Sequence, residues 1–554
     1  MEHKHLNILI IGGVAAGASC AARARRLSET ASITLIERGP DVSFANCGLP
    51  YHIGGEIAAR DTLKVHTGQT LHNMLNIGVR TLAEAVDIDR KGKLVAVRSA
   101  STEEIDWLPY DKLLLAPGAF PVRPPLPGID DPRILTLRNL QDMDRIKTAT
   151  ASAKKAVVIG AGFIGLEMAE QLHKLGIEVS LVEMLPQVLP QMDAPMTMLL
   201  ADELRKNGID LHLGDGIESF APEGEKLACK LASGKTLAAD FAILSIGVRP
   251  EARLAAKARL ELGTRGHIKV NKFMQTSDPD IYAAGDAVET FDRITGSAAA
   301  VPLGGPANRQ GRLAADHMIN PASARPYPGS QGTAIVRAFG VAAGLTGWTR
   351  KRLEAADIPF LSMTVNDNNH AGYYPGASQL TLNILWSPVD GRILGAQATG
   401  GEGVDKRLDV LATAIAGKLG IEDLAQLELS YAPPFGSAKD VINIAGMAAL
   451  NYTDGLLNPV RELPEDASVQ IVDVRPKPLF DADPTPGAIN IPFPMLRAQL
   501  DKLDRSRAVV TVCALGKTSY FAARILAQNG FDVQSLSGGI MATRNPRAAY
   551  KLPS

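Results

Sequence analysis

Short apolar stretches alternate with alanine-rich amphipathic stretches over the first 290 residues, which predicts α/β layers around a parallel sheet. One unit occurs twice, at residues 7–37 and again at 155–183. Each copy is an apolar strand, a glycine turn, an alanine-rich helix and a second strand ending in Glu. Two copies predict two dinucleotide-binding domains rather than one long sheet. From about Tyr327 to Leu450 the pattern changes to alternating strands and one apolar helix, with no phosphate loop. Residues 454–466 are polar, contain Pro and Gly, and read as a linker. Residues 468–554 then begin a fresh α/β pattern, long enough for a small fourth domain.

Length agrees with several cores, since 554 residues exceed what one core serves. The apolar fraction of 46% and charged fraction of 21% are ordinary for a globular protein, and a net charge of −1 gives no pull toward nucleic acid or an acidic membrane. No run of 18 apolar residues exists, so no membrane span is expected. The first five residues run straight into the strand expected at 6–11, leaving no room for a signal peptide. Four scattered cysteines exclude a disulfide framework and fit a reducing cytoplasm, the expected location. No metal site is expected.

In the second repeat, Gly160-Ala161-Gly162-Phe163-Ile164-Gly165 follows the strand expected at 156–159 and opens a helix expected over 163–175. The first glycine permits the tight turn, the second lets backbone approach a pyrophosphate, and the third lets helix pack on strand. The helix N-terminus offers unpaired N–H groups to the phosphates. Glu183 ends the strand expected at 179–182. A carboxylate there accepts from a ribose 2′-hydroxyl and repels a 2′-phosphate, which favours NADH, with NADPH the alternative. The first repeat, Gly12-Gly13-Val14-Ala15-Ala16-Gly17, keeps the outer glycines but has Val14 at the middle position. Glu37 follows the strand expected at 33–36, and an adenine dinucleotide is expected across this helix N-terminus as well.

Cys47 lies in Ser43-Phe44-Ala45-Asn46-Cys47-Gly48-Leu49-Pro50-Tyr51, just past Glu37. No second cysteine lies within 25 residues downstream, and Cys20, among small residues of the first helix, reads as a buried apolar filler. Cys47 is therefore expected to work alone, exchanging with sulfur brought by a small molecule through a mixed disulfide. Positive potential nearby would raise its thiolate fraction.

Thr276-Ser277-Asp278-Pro279-Asp280-Ile281-Tyr282-Ala283-Ala284-Gly285-Asp286 resembles the returning strand of flavoprotein disulfide reductases, and Leu113-Leu114-Leu115-Ala116-Pro117-Gly118 resembles their crossover strand. The resemblance covers residues 1–450. It implies FAD held by Gly12, Gly13, Ala16, Gly17, Glu37, Arg38, Ala116, Gly118 and Asp286, and NADH held by Gly160, Gly162, Phe163, Ile164, Gly165, Glu183 and Gly247. The surroundings of Cys47 resemble coenzyme A-disulfide reductases and their relatives, the NADH oxidases and NADH-dependent persulfide reductases. Those carry one redox-active Cys. That likeness implies coenzyme A beside Ser19, Arg23, Arg26, Ser43 and Asn46. It also implies proton-donating tyrosines in Tyr373-Tyr374-Pro375-Gly376 and at Tyr431, with Tyr373 preferred over Tyr374. Such sites are completed across a two-fold axis, so a homodimer is expected.

Four blocks near the C-terminus resemble a rhodanese domain in order and spacing: Ile471–Arg475, Pro486–Pro492, Cys513-Ala514-Leu515-Gly516-Lys517-Thr518 and Leu536-Ser537-Gly538-Gly539. Cys513, between a strand expected at 508–512 and a helix expected at 519–528, would sit in a nest of backbone N–H groups suited to a thiolate or persulfide. Rhodanese loops often end in Arg. Here Thr518 stands in that place with Lys517 before it, so relay of sulfane sulfur is expected more than thiosulfate turnover.

The expected architecture is thus α/β. An FAD domain (1–118 and 271–326) is interrupted by an NAD domain (119–270). An α+β dimerisation domain (327–453), a linker (454–466) and a rhodanese-like domain (467–554) follow. The expected function is NADH-dependent reduction of persulfide, polysulfide or coenzyme A persulfide. The alternatives are coenzyme A-disulfide reduction, an NADH oxidase or peroxidase cycling a sulfenic acid at Cys47, and a redox-sensing docking protein.

Overall fold

The computed structural model describes residues 6–542, which form two compact units. The first comprises residues up to 182 and 216–332, the second 183–215 and 333 onward. The expected positions in 1–5 and 543–554 lie outside the described residues.

In the first unit the strands Ile281–Ala283, Lys112–Leu115, Asn7–Ile11, Ser32–Ile36 and Gly78–Arg80 lie side by side in that order, all parallel. The three central strands carry the apolar runs Ile8–Ile11 and Leu113–Leu115 and the residues Ile33, Leu35 and Ile36, because helices and loops cover both faces of a parallel sheet. The helix Ala15–Leu27 packs on the helix Gly304–Ile319 so closely that a Cβ at Gly311 would fall on the Ala16 carbonyl oxygen. Cys20 is fully buried in this core, as its small-residue neighbourhood suggested. The second repeat forms its own parallel set, with Lys155–Ile159 between Glu178–Glu183 and Phe241–Leu244. Two three-stranded antiparallel sheets, Ala83–Pro109 and Ile217–Ala239 in extent, are inserted into this scheme.

The second unit contains an antiparallel sheet in the order Ala334–Ala338, Val341–Gly347, Ile393–Gly400, Gln379–Trp386, Leu361–Asn368. Two long helices pack on the sheet, Val404–Gly417 and Val441–Thr453, where one apolar helix was expected. Only the second is apolar enough to stand out. In the first, Val404, Leu408, Leu411, Ala414 and Ile415 form a buried stripe, and Asp405, Lys406 and Asp409 between them hide it from a count of apolar residues.

The C-terminal sheet of this unit is parallel, in the order Pro459–Val460, Val533–Leu536, Val509–Val512, Gln470–Asp473, Ala488–Asn490. One of its edge strands, Pro459–Val460, lies inside the stretch expected to be a linker. Proline is tolerated there because it opens an edge strand, where a missing N–H costs no central ladder bond. Asp473, which ends its strand, is fully buried, and its carboxylate accepts from the Arg475 guanidinium at 2.7 Å and the Thr485 hydroxyl at 2.6 Å.

Leu411 is fully buried at the centre of the Val404–Gly417 face. Truncating it to Ala is expected to cost about 2–5 kcal/mol. The measurement is the midpoint of the thermal transition, and an unchanged midpoint would contradict the packing described.

Candidate active site

The first glycine loop is built by close backbone approach. Gly12 adopts φ +97°, and a Cβ there would fall on the Ala116 carbonyl oxygen. A Cβ at Gly17 would fall on the Gly12 carbonyl, so helix and strand meet only because both are glycine. The carboxylate of Glu37 accepts from the Gly13 N–H at 2.9 Å and the Gly39 N–H at 2.8 Å. Those two bonds aim it at the loop, with lone pairs left for ribose hydroxyls. Ala116 donates its N–H to Ile11, Gly118 turns at φ +71°, and Arg38 lies 3.7 Å from the Glu251 carboxylate. Asp286 is half-buried, and burial raises its pKa while the Arg138 charge opposes the rise. A hydroxyl can donate to such a carboxylate. The cradle therefore fits FAD.

The second loop repeats the construction. Gly160 has φ +99°, a Cβ on Gly165 would fall on the Gly160 carbonyl, and Gly162 precedes the helix Phe163–Lys174, whose first turn holds no acidic residue to compete with phosphate. Ile164 is exposed at this helix start. Ser245, which the sequence reading did not single out, donates its hydroxyl to the Ile159 carbonyl at 2.8 Å and the Gly160 carbonyl at 3.0 Å, locking the turn. Gly247, at φ +115°, follows closely. Glu183 ends its strand as expected, and its carboxylate accepts from the Leu185 N–H. The loop fits NAD(P)H.

Cys47 sits in the short 3-10 turn Asn46–Gly48, immediately before the helix Leu49–Ile53. It is exposed, whereas Cys20, Cys229 and Cys513 are buried. Its pKa is raised, first by desolvation where protein crowds the sulfur, then by the carboxylates of Glu167 and Asp286; the local backbone N–H opposes this. The charges acting on the sulfur are therefore negative and disfavour the thiolate. Glu167 itself is pushed up to about 7 by burial, although the Tyr51 hydroxyl donates to it at 3.1 Å. Glu167 stands two places after Gly165 and Tyr51 four after Cys47, but nothing local in the sequence announces that they meet.

The expected coenzyme A residues divide. Ser19 donates to Asn308 at 2.7 Å and Arg23 pairs with Asp316 at 2.6 Å, both on the helix Gly304–Ile319. Arg26 is exposed. Asn46 is exposed beside Cys47, and Ser43 holds the left-handed backbone, φ 47°, with its N–H donated to the Gly13 carbonyl.

In the second unit, Tyr373 is 77% exposed and its hydroxyl lies 3.2 Å from that of Tyr431. That hydrogen bond raises the Tyr373 pKa. Tyr374 instead packs edge-on against His370. A buried ion pair assembles the two tyrosine segments. Arg407 is bonded to Asp440 at 2.6 Å and donates to the Asn369 carbonyl at 2.7 Å, while Ala371 donates its N–H to Gly436. Asp440 in turn caps the helix Val441–Thr453 through the Ile442 N–H.

Cys513 follows the strand Val509–Val512, and its helix begins at Lys517, two residues earlier than expected. That start brings the Ser519 N–H onto Sγ at 3.3 Å, beside the Gly516 N–H at 3.2 Å. Lys517 is exposed and Thr518 half-buried at the helix start.

Two outcomes test these environments. Glu167→Gln removes a charge that disfavours the thiolate, so Cys47 alkylation is expected to reach its midpoint at lower pH; an unchanged or higher midpoint would contradict the assignment. Arg407→Met strands the Asp440 carboxylate and is expected to cost about 3–5 kcal/mol. The double replacement Arg407→Met with Asp440→Leu is expected to recover most of that loss in denaturant unfolding.

The sequence profile of the pyridine nucleotide-disulphide oxidoreductases matches residues 6–302, that of the family's dimerisation domain matches 333–441, and that of rhodanese-like domains matches 457–545. The coenzyme A disulfide reductase of Staphylococcus haemolyticus (strain JCSC1435) is 34% identical over 444 residues, covering 80% of this chain and 99% of its own length. The crystal structure of reduced Bacillus anthracis CoADR-RHD superposes with a TM-score of 0.94 at 42% identity, covering 97% of this chain and 98% of that one. A NAD-dependent persulfide reductase from A. fulgidus superposes with a TM-score of 0.92 at 36% identity, covering 97% and 100%. Cofactor cradles and family agree on FAD and NAD(P)H, and the dimerisation domain is consistent with a homodimer. Among the described residues no helix is long and apolar enough to cross a membrane. The chain belongs to the pyridine nucleotide-disulphide oxidoreductase family, with a rhodanese-like domain joined to it.

Proposed function

We propose that the chain reduces sulfane sulfur, carried as a persulfide, polysulfide or coenzyme A persulfide, with NADH as electron donor and Cys47 as the residue that meets the sulfur. The observation that carries this reading is that Cys47 alone of the four thiols is exposed, in the unit that bears both glycine loops and Asp286. The joined rhodanese-like domain points to the same substrate class. So does the persulfide reductase, similar over almost the whole chain.

The Cys47 thiolate attacks the inner sulfur of R–S–SH, forming Cys47–S–S–R and expelling hydrosulfide. FAD, when bound, supplies the two-electron route from NADH to that disulfide, which restores the Cys47 thiolate and frees the R–S⁻ thiolate. The balance is NADH + H⁺ + R–S–SH giving NAD⁺ + R–SH + H₂S. Tyr373 and Tyr431 of a partner subunit donate the proton to the departing thiolate, the phenols sharing one hydrogen bond. Ser19, Arg23, Arg26, Ser43 and Asn46 bind the coenzyme A arm, with exposed Arg26 the cation for its phosphates and Arg23 held by Asp316. Cys513 receives or delivers sulfane sulfur as a persulfide. A second reading, reduction of coenzyme A disulfide, is favoured by the 34% identity to a coenzyme A disulfide reductase and uses the same thiol.

Anaerobic NADH oxidation with polysulfide, coenzyme A persulfide, coenzyme A disulfide and peroxide separates these readings. The persulfide substrates are expected to turn over fastest. A clear preference for coenzyme A disulfide would move the assignment to the second reading. Preference for peroxide, or slow turnover with all four, would remove both. Cys47→Ser is expected to bind FAD yet fall to background, and Tyr431→Phe to lose about 10²-fold in turnover.

A further inference from the structure

The cysteine loop of the rhodanese-like domain is not held by that domain alone. Asn366, on the strand Leu361–Asn368 of the antiparallel sheet, is 7% exposed and directs its carboxamide into this loop. Its Nδ2 donates to the Leu515 carbonyl at 3.0 Å and to the Gly538 carbonyl at 2.9 Å, using both amide hydrogens. Its Oδ1 accepts from the Thr381 hydroxyl at 2.6 Å, which fixes the amide the right way round. Neighbouring contacts repeat the attachment. Thr364 donates its N–H to the Ser537 hydroxyl at 3.1 Å, and a Cβ at Gly538 would press on the Thr364 side chain.

The Leu515 carbonyl and the Gly516 N–H belong to one planar trans peptide and point in opposite directions. Holding the oxygen therefore aims the hydrogen. That hydrogen belongs to the N–H that lies 3.2 Å from the Cys513 sulfur. Gly516 has φ +87° and Gly538 has φ +72°, so the two facing turns are glycine-permitted conformations with little side-chain packing of their own to stop the peptide rotating.

We propose that Asn366 is a positioning residue for sulfur at Cys513: by clamping the Leu515–Gly516 peptide it keeps the Gly516 N–H on Sγ, where it stabilises the thiolate that takes up sulfur. The inference deepens the reading of Cys513 as a sulfur carrier and rests on it. It makes the cysteine loop dependent on a residue 147 positions upstream, in the dimerisation-type sheet.

The test is site-resolved alkylation of the full-length, FAD-bound protein with iodoacetamide, read by mass spectrometry at Cys513 and Cys47 across pH. This readout needs no sulfur transfer, so it stands apart from whether Cys513 carries sulfur in turnover. Asn366→Asp removes both donors and sets charge against two carbonyls. It is expected to slow Cys513 labelling at neutral pH about tenfold, move its profile toward alkaline pH, and leave Cys47 unchanged. Asn366→Ser keeps one donor and is expected to fall between. Thr381→Val, which leaves Asn366 in place but frees its amide to rotate, is expected to slow Cys513 about threefold. It decides the matter if Asn366→Asp does not fold. Unchanged Cys513 labelling in a folded variant would overturn the proposal. So would equal slowing at both cysteines, which signals general loosening.

Discussion

A thiol works as a nucleophile only once it has lost its proton, and the fold resists that loss at Cys47. Desolvation, Glu167 and Asp286 all raise its pKa, and only a local backbone N–H works the other way. The resistance is not fixed, because Glu167 itself titrates near neutrality, pushed up to about 7 by burial. Near that pH the carboxyl can hold a proton when the sulfur gives one up. The two groups then share one negative charge more readily than they bear two. The Tyr51 hydroxyl, donating to Glu167 at 3.1 Å, favours the carboxylate and keeps this balance from tipping wholly to the acid. The protonation of Cys47 is thus tied to the second glycine-loop helix, which carries Glu167.

Cys513 has different surroundings. It is buried, and two backbone N–H groups face its sulfur from a loop that turns into a helix. Fixed dipoles need no titrating neighbour and cost no reorganisation as charge develops. Under the proposed function the contrast suits two tasks. An exposed thiol beside proton-holding groups suits a cycle of bond making and breaking, while a buried thiol in a donor nest suits holding one sulfur atom as an anion.

What the sequence disclosed follows the range of the interactions involved. Both glycine loops, their closing carboxylates Glu37 and Glu183, and the Cys513 loop are set by neighbours within one strand–turn–helix unit, and all were legible. Groups brought in from far along the chain were not. Glu167 meets Tyr51 across 116 positions, Asn366 meets Leu515 across 149, and Arg407 meets Asp440 across 33. The helix Val404–Gly417 was missed because charges interleave its apolar stripe, and the edge strand Pro459–Val460 because two residues of strand have no periodicity to detect. The carboxylates that act on Cys47 stayed hidden for the same reason, arriving from 120 and 239 positions away.

One strand in the second unit joins features that the sequence presents as separate. Leu361–Asn368 carries Asn366 at the cysteine loop, and three residues on, the Asn369 carbonyl accepts from the buried Arg407. The following residues lead to Tyr373. Arg407 and Asp440 are each almost wholly buried, so neither can leave without exposing the other's charge to a medium that solvates it poorly. That makes the ion pair a rigid post rather than a source of net stability. From it, the tyrosine segment is held at one end of the strand and the Cys513 loop near the same end through Asn366. A shift of this strand would move both together, and the antiparallel ladder to Gln379–Trp386, unbroken from Leu361 to Asn368, opposes such a shift.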